Sequence, residues 1–210
     1  VYANPFPLNL KFNQLHTSGD KSFYIDEGLK LYESNLSNST SSNIYVVITT
    51  NAIAVDGGDD YIIFLNNSNK VFYRGSNNNF PSHYNTGSFV EIASNISSIS
   101  AAKDHIILLS KSGNALSQGS NSQGQLGVSS VSSSFSLVER DVTDIHAEGT
   151  HSFFIKFDNS LWGFGDNSLG QLGLGTTVNT STSPTFITEN VSRIIGSSET
   201  SFLFKNNNDI

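Results

Sequence analysis

The sequence predicts an all-β chain built of repeated four-stranded units, and three observations carry that expectation. Its apolar residues fall in short runs, "YVVITT", "YIIFL", "HIILLS" and "SFFIKF", with 15 Phe and 7 Tyr among 210 residues. Runs of this length rich in aromatic and branched side chains suit strands. Helical spacing is nearly absent. The chain also says the same thing more than once: "HSFFIKFDNSLWGFGDN" at residues 151–167 lies without a gap over "HIILLSKSGNALSQGSN" at 105–121, and that over "YIIFLNNSNKVFYRGSN" at 61–77. Two weaker copies flank these, "SFYIDEGLKLYESN" with a shortened hairpin turn and a terminal "SFLFKNNNDI".

A period of about 45 residues is the length of one four-stranded propeller blade. The best-preserved copy reads strand by strand. "VTDIHAEG" alternates apolar and polar residues, as a strand with one buried face does. "HSFFIKF", the turn "DNS" and "LWGFG" form a hairpin whose Asx residues tolerate positive φ. "SPTFIT" supplies a fourth strand, with Pro184 expected at its start, where no ladder donor is needed. The units are expected near residues 8–50, 51–95, 96–141, 142–190 and a partial 191–210, forming one propeller domain, or part of one, over 1–210. An unclosed sheet exposes edges, and a longer parent chain is the favoured resolution.

The stretch "GDNSLGQLGLG" looks at first like a phosphate cradle, but "GSNSQGQLG" repeats it 46 residues earlier, with no Lys or helical pattern following. A feature that recurs by blade is scaffold before it is site. Gly75, Gly119 and Gly165 are expected where backbones crowd towards a central channel. Within the loops, Leu126 and Leu172 are expected to plug the joint between blades. Gln125 and Gln171, followed by Gly127 and Gly173 in "GQLG", should satisfy loop backbone groups. His105 and His151 share one repeat position, which favours a hydrogen-bonding role over catalysis. Trp162 aligns with Leu116 and Phe72 and is expected in the core.

These motifs, above all "GTHSFFIKFDNSLWGFGDNSLGQLGLG" followed by "VSRIIG", resemble the repeat of the regulator-of-chromosome-condensation family. The resemblance covers most of the chain and is strongest at residues 101–127 and 147–173. It implies a propeller of the seven-bladed type, of which this chain supplies four to five units. It also implies protein partners, since the family's namesake exchanges nucleotide on a Ran-type GTPase and other members cover an enzyme as inhibitors.

Composition bounds the partners. The net charge is −7, with 11 basic residues scattered singly, which disfavours a nucleic-acid backbone. No apolar run approaches the roughly 20 residues needed to cross a bilayer, so no membrane insertion is expected. With no cysteine, disulfides and thiolate–metal chemistry are unavailable. Six glycosylation sequons match the number chance supplies in so Asn-, Ser- and Thr-rich a chain. Asp56, Asp59 and Asp60 in "DGGDD" lack calcium-loop spacing and read as a polar turn. His16 and His146 stand isolated in sequence. No catalytic residue, metal or cofactor is expected.

Where other copies have "NSxGQLG", residues 77–88 read "NNNFPSHYNTGS". Phe80, Pro81, His83 and Tyr84 put aromatic surface into a polar loop, a composition that interface anchors share. Phe80 alternatively replaces the Leu plug of a degenerate blade; His83 and Tyr84 are expected at the surface. The favoured function is a non-enzymatic, partner-binding or structural propeller. A guanine-nucleotide exchange factor and a secreted or surface enzyme inhibitor are the alternatives.

Overall fold

The computed structural model describes residues 12–18, 21–35, 44–176, 180–197 and 200–205. They form four antiparallel four-stranded sheets and a fifth with two strands. The first holds β1 (Phe12–Ser18), β2 (Lys21–Asp26), β3 (Leu31–Asn35) and β4 (Ile44–Thr49). The second holds β5 (Ala52–Gly57), β6 (Tyr61–Asn66), β7 (Val71–Gly75) and β8 (Val90–Ala93). The third holds β9 (Ile96–Ala101), β10 (His105–Ser110), β11 (Ala115–Gly119) and β12 (Ser136–Glu139), and the fourth β13 (Val142–Glu148), β14 (His151–Lys156), β15 (Leu161–Asp166) and β16 (Thr180–Thr188). The fifth is β17 (Val191–Ser197) with β18 (Thr200–Lys205). In each sheet neighbouring strands follow chain order, the meander of a propeller blade.

The core lies between blades, and the second strand of each blade explains why. Tyr61, Ile63 and Leu65 of β6 pack with Ile106 and Leu108 of β10. Ile62 and Phe64, the alternate residues, pack the other way against Phe23 and Ile25 of β2. Successive strand side chains point to opposite faces, so a strand sandwiched between blades must be apolar at every position. That is why "YIIFL" and "HIILL" read as continuous rather than alternating runs. Ile107 and Leu109 then meet Phe154 of the fourth blade, and Phe153 and Ile155 meet Val191 and Ile194 of the fifth.

The turns repeat as faithfully. Asn69, Gly113 and Asn159 hold the same left-handed place in the β6–β7, β10–β11 and β14–β15 hairpins, with φ of 60°, 78° and 62°. Asn95, Asp141 and Asn190 (φ 59° to 62°) turn the chain from one blade to the next. Asx side chains tolerate this conformation better than other non-glycine residues.

Two expectations are corrected. Pro184 lies inside β16 rather than at its start. It falls where the register against β15 slips, between the pairs Gly163↔Thr185 and Gly165↔Ser181. β16 is the outer strand, so the missing N–H breaks no second ladder. The crowding at Gly119 and Gly165 comes first from the neighbouring strand of the same blade, and at Gly165 also from the Cα of Gln125 in the preceding blade's loop, 3.2 Å from an added Cβ. A Cβ at Gly119 would come 2.7 Å from the Cα of His105, and one at Gly165 2.7 Å from the Cα of His151, the residues that pair with them across the hairpins. Gly75 faces Tyr61 in the same way.

Candidate functional site

The first strands of the blades line a shared cavity of about 700 Å³. One position recurs on these strands, and at His16 and Asp56 it lines the cavity. His16, Asp56, Ser100 and His146 each lie opposite the same residue of the second strand, namely Phe23, Ile63, Ile107 and Phe153. The residue type varies, and His16, Asp56 and Ser100 reach across to the following blade. The Ala101 N–H donates to Asp56 Oδ2 at 2.9 Å, and the Ala147 N–H donates to Ser100 Oγ at 2.9 Å. Between the first two blades Gln14 does this from two residues earlier, accepting from Val55 N–H at 3.0 Å and donating to Val55 C=O at 2.9 Å.

Asp56 is the most perturbed group of this ring. Burial pushes its carboxyl up from 3.8 to about 6, with a further push from the Glu148 charge, against hydrogen bonds from the Ala101 and Gly57 N–H groups and the field of His146. His16 Nδ1 lies 3.2 Å from Asp56 Oδ1, and burial holds the His16 imidazole below its usual range. His146 Nε2 stands 3.0 Å from Glu148 Oε1. The rim adds Asp59, Lys103, Asp166 and Leu169. Leu169 is 68% exposed where the preceding blade has Gln123. Among the described residues no group of three or more His, Asp or Glu could hold a metal ion.

A second network repeats in the glycine loops. The buried His105 Nε2 lies 2.8 Å from Ser152 Oγ of the next blade, and that hydroxyl donates to the Gln125 carbonyl at 3.0 Å. His151, Ser201 and Gln171 repeat the arrangement at 3.4 and 3.2 Å. Gln125 Oε1 accepts the Gln123 N–H and Gln171 Oε1 the Leu169 N–H, both at 2.9 Å. Leu126 and Leu172 are buried, Leu172 between the fourth and fifth blades. Burial, with lesser contributions from the His105 and His146 charges, pushes His151 from 6.5 down to about 4. Trp162 is partly buried against the core between the third and fourth blades.

The second blade solves the same joint with aromatics. Tyr61 stands in the histidine position, and its hydroxyl donates to the His105 carbonyl at 2.8 Å. Phe80 lies edge-on to Tyr61 at 4.9 Å and tilted to Tyr73 at 5.3 Å. Tyr84 packs on Tyr73 at 5.5 Å. Phe80 is 4% and Tyr84 6% exposed, so the surface place expected for Tyr84 is corrected. The loop folds through a 3₁₀ turn at Ser82–Tyr84, which turns both rings inward, leaving His83 exposed and Pro81 half-buried.

Sequence reasoning missed the ring of His16, Asp56, Ser100 and His146. Its signal was positional, an apolar residue, a variable residue and then a small one in "LHT", "VDG", "ISA" and "IHA".

Sheets in chain order, each packed face to face on the next, define a β-propeller of repeated blades. One stretch of it carries the regulator-of-chromosome-condensation repeat. The family model "Regulator of chromosome condensation (RCC1) repeat" matches residues 158–198, from one hairpin turn across the joint into the next blade. The fold is similar to that of yeast RCC1 (Prp20) in its structure bound to Kap60, with TM-score 0.79 and 16% identity, over 96% of this chain and 56% of that one. It is similar to human WBSCR16, with TM-score 0.79 and 14% identity, over 95% and 59% of the two chains. A separate structure of Saccharomyces cerevisiae Prp20p, described with its binding properties to Gsp1p and histones, gives TM-score 0.77 at 16% identity, over 94% and 56%. The chain thus spans a little over half the length of these solved structures. No curated protein matches the chain by sequence.

Proposed function

We propose that this chain is a non-enzymatic propeller module that works by binding a protein partner. The observation that carries this reading is where the polar groups of the channel and joints are spent. Asp56, Ser100, His105 and His151 bond across blades, so the side chains best suited to chemistry are occupied by the scaffold. The surfaces free to vary are the acidic channel mouth with Leu169, and the half-buried Pro81 and exposed His83 of the second blade's loop. Likeness of fold to yeast RCC1, seen with Kap60 and described as binding Gsp1p and histones, supports a protein partner.

The same likeness favours a second reading, nucleotide exchange on a Ran-type GTPase. The two are separated by release of a fluorescent GDP from such a GTPase. The module reading expects the rate to be unchanged by the chain at micromolar concentration. Acceleration of ten-fold or more would establish the exchange reading instead.

A further inference from the structure

The joint between the first and second blades is built unlike those that follow it. The place held by Tyr61, His105 and His151 in later blades is Lys21 in the first, two residues before Phe23. Ile62 stands in the second blade where Ser152, the partner of His105, stands in the fourth. The histidine–serine bond of the later joints therefore has no counterpart here. Glu33, opposite Phe23, takes the register place of Tyr73, Ser117 and Gly163. A charge sits where other blades have a ring, a hydroxyl or no side chain.

Two cations close on that carboxylate. Arg74 Nη2, from the second blade, donates to Glu33 Oε2 at 2.7 Å, and Lys21 Nζ, from its own blade, donates to Oε1. The Glu33 side chain is 13% exposed and that of Arg74 23%. Burial pushes the Glu33 carboxyl up, but the hydrogen bonds and charges of Lys21 and Arg74 outweigh it and hold it below its usual range. The Arg74 guanidinium also lies over the Phe89 ring at 4.6 Å, and Phe89 meets Phe64 edge-on at 5.0 Å. The ion pair is thus continuous with the apolar core of this joint, where Phe23 and Ile25 meet Ile62 and Phe64. The ion contact between the third and fourth blades, Lys156 to Glu139, is longer at 3.7 Å and adds to the histidine–serine bond there.

We propose that Glu33, Arg74 and Lys21 form an ionic latch, and that the first blade opens from the second when ions compete for it. Hydrogen bonds between charged groups are strong at low ionic strength. Salt shortens the reach of charge from about 30 Å at 0.01 M to about 3 Å at 1 M. The apolar and hydroxyl contacts that dominate the other joints lack that dependence. Opening parts Phe23 and Ile25 from Ile62 and Phe64, so the latch controls an apolar face on each blade. A blade off its neighbour buries too little to keep its own sheet, so its backbone amides report the opening.

The test is amide hydrogen exchange of the intact chain at neutral pH, followed strand by strand in about 0.01 M and about 1 M sodium chloride. Exchange in β2 and β3 is expected to quicken about five-fold with salt, relative to β10 and β14. Glu33→Gln keeps the shape and removes the charge. It should bring fast exchange to β2 and β3 already at low salt, with no further rise. An equal response of all four strands overturns the proposal, as does a β2 and β3 unmoved by salt, and neither comparison needs a variant. A Glu33→Gln chain that keeps the parent's salt response overturns it too, because the charge that salt screens then lies elsewhere.

Discussion

His151 and Asp56 titrate in opposite senses, which sets how acid acts on this protein. Burial lowers the His151 pKa from 6.5 to about 4, so the unfolded chain binds that proton more readily than the folded one. The stability His151 contributes is complete above pH 6.5 and is lost as pH falls towards 4, ~3 kcal/mol in all. Asp56 is raised from 3.8 to about 6, so its contribution is complete below 3.8 and is lost as pH rises through 6. The two nearly offset between pH 4 and 6. Replacing Asp56 by Asn removes one side of that balance. Urea unfolding should show Asp56→Asn losing ~2 kcal/mol more, relative to the parent, at pH 4 than at pH 7. A difference independent of pH would contradict the assignment. The two groups also differ in legibility. His151 could be read as scaffold because His105 repeats it, whereas Asp56 occupies a strand position filled by His, Asp and Ser in different blades.

At the scale of elements, the hairpins were legible because each apolar run must serve two interfaces and each turn needs a left-handed residue. The odd loop at residues 77–88 was not, since Phe and Tyr suit an interface anchor and a core plug equally. What decides is the partner strand: Tyr61 in place of histidine offers a ring, and Phe80 and Tyr73 complete an aromatic cluster about it. Truncating a buried aromatic costs about 3–5 kcal/mol in such settings. Tyr84→Ala is therefore expected to lower the melting temperature by several degrees, with His83→Ala within about a degree of the parent. If Tyr84→Ala melts with the parent, the ring is not part of the joint.

Across the whole molecule, each core cluster joins one blade to the next, so stability approximates a sum of blade and joint contributions. The joints are where histidines, serines and loop carbonyls meet. The most direct test is a double-mutant cycle across the joint between the third and fourth blades. It measures unfolding free energies of the parent, His105→Ala, Ser152→Ala and the double variant at pH 7. A buried hydrogen bond across that joint predicts a coupling of about 1–2 kcal/mol, with GDP release from a Ran-type GTPase unchanged in all four proteins. Additive losses, with coupling below about 0.3 kcal/mol, would contradict the claim that these histidines tie blade to blade.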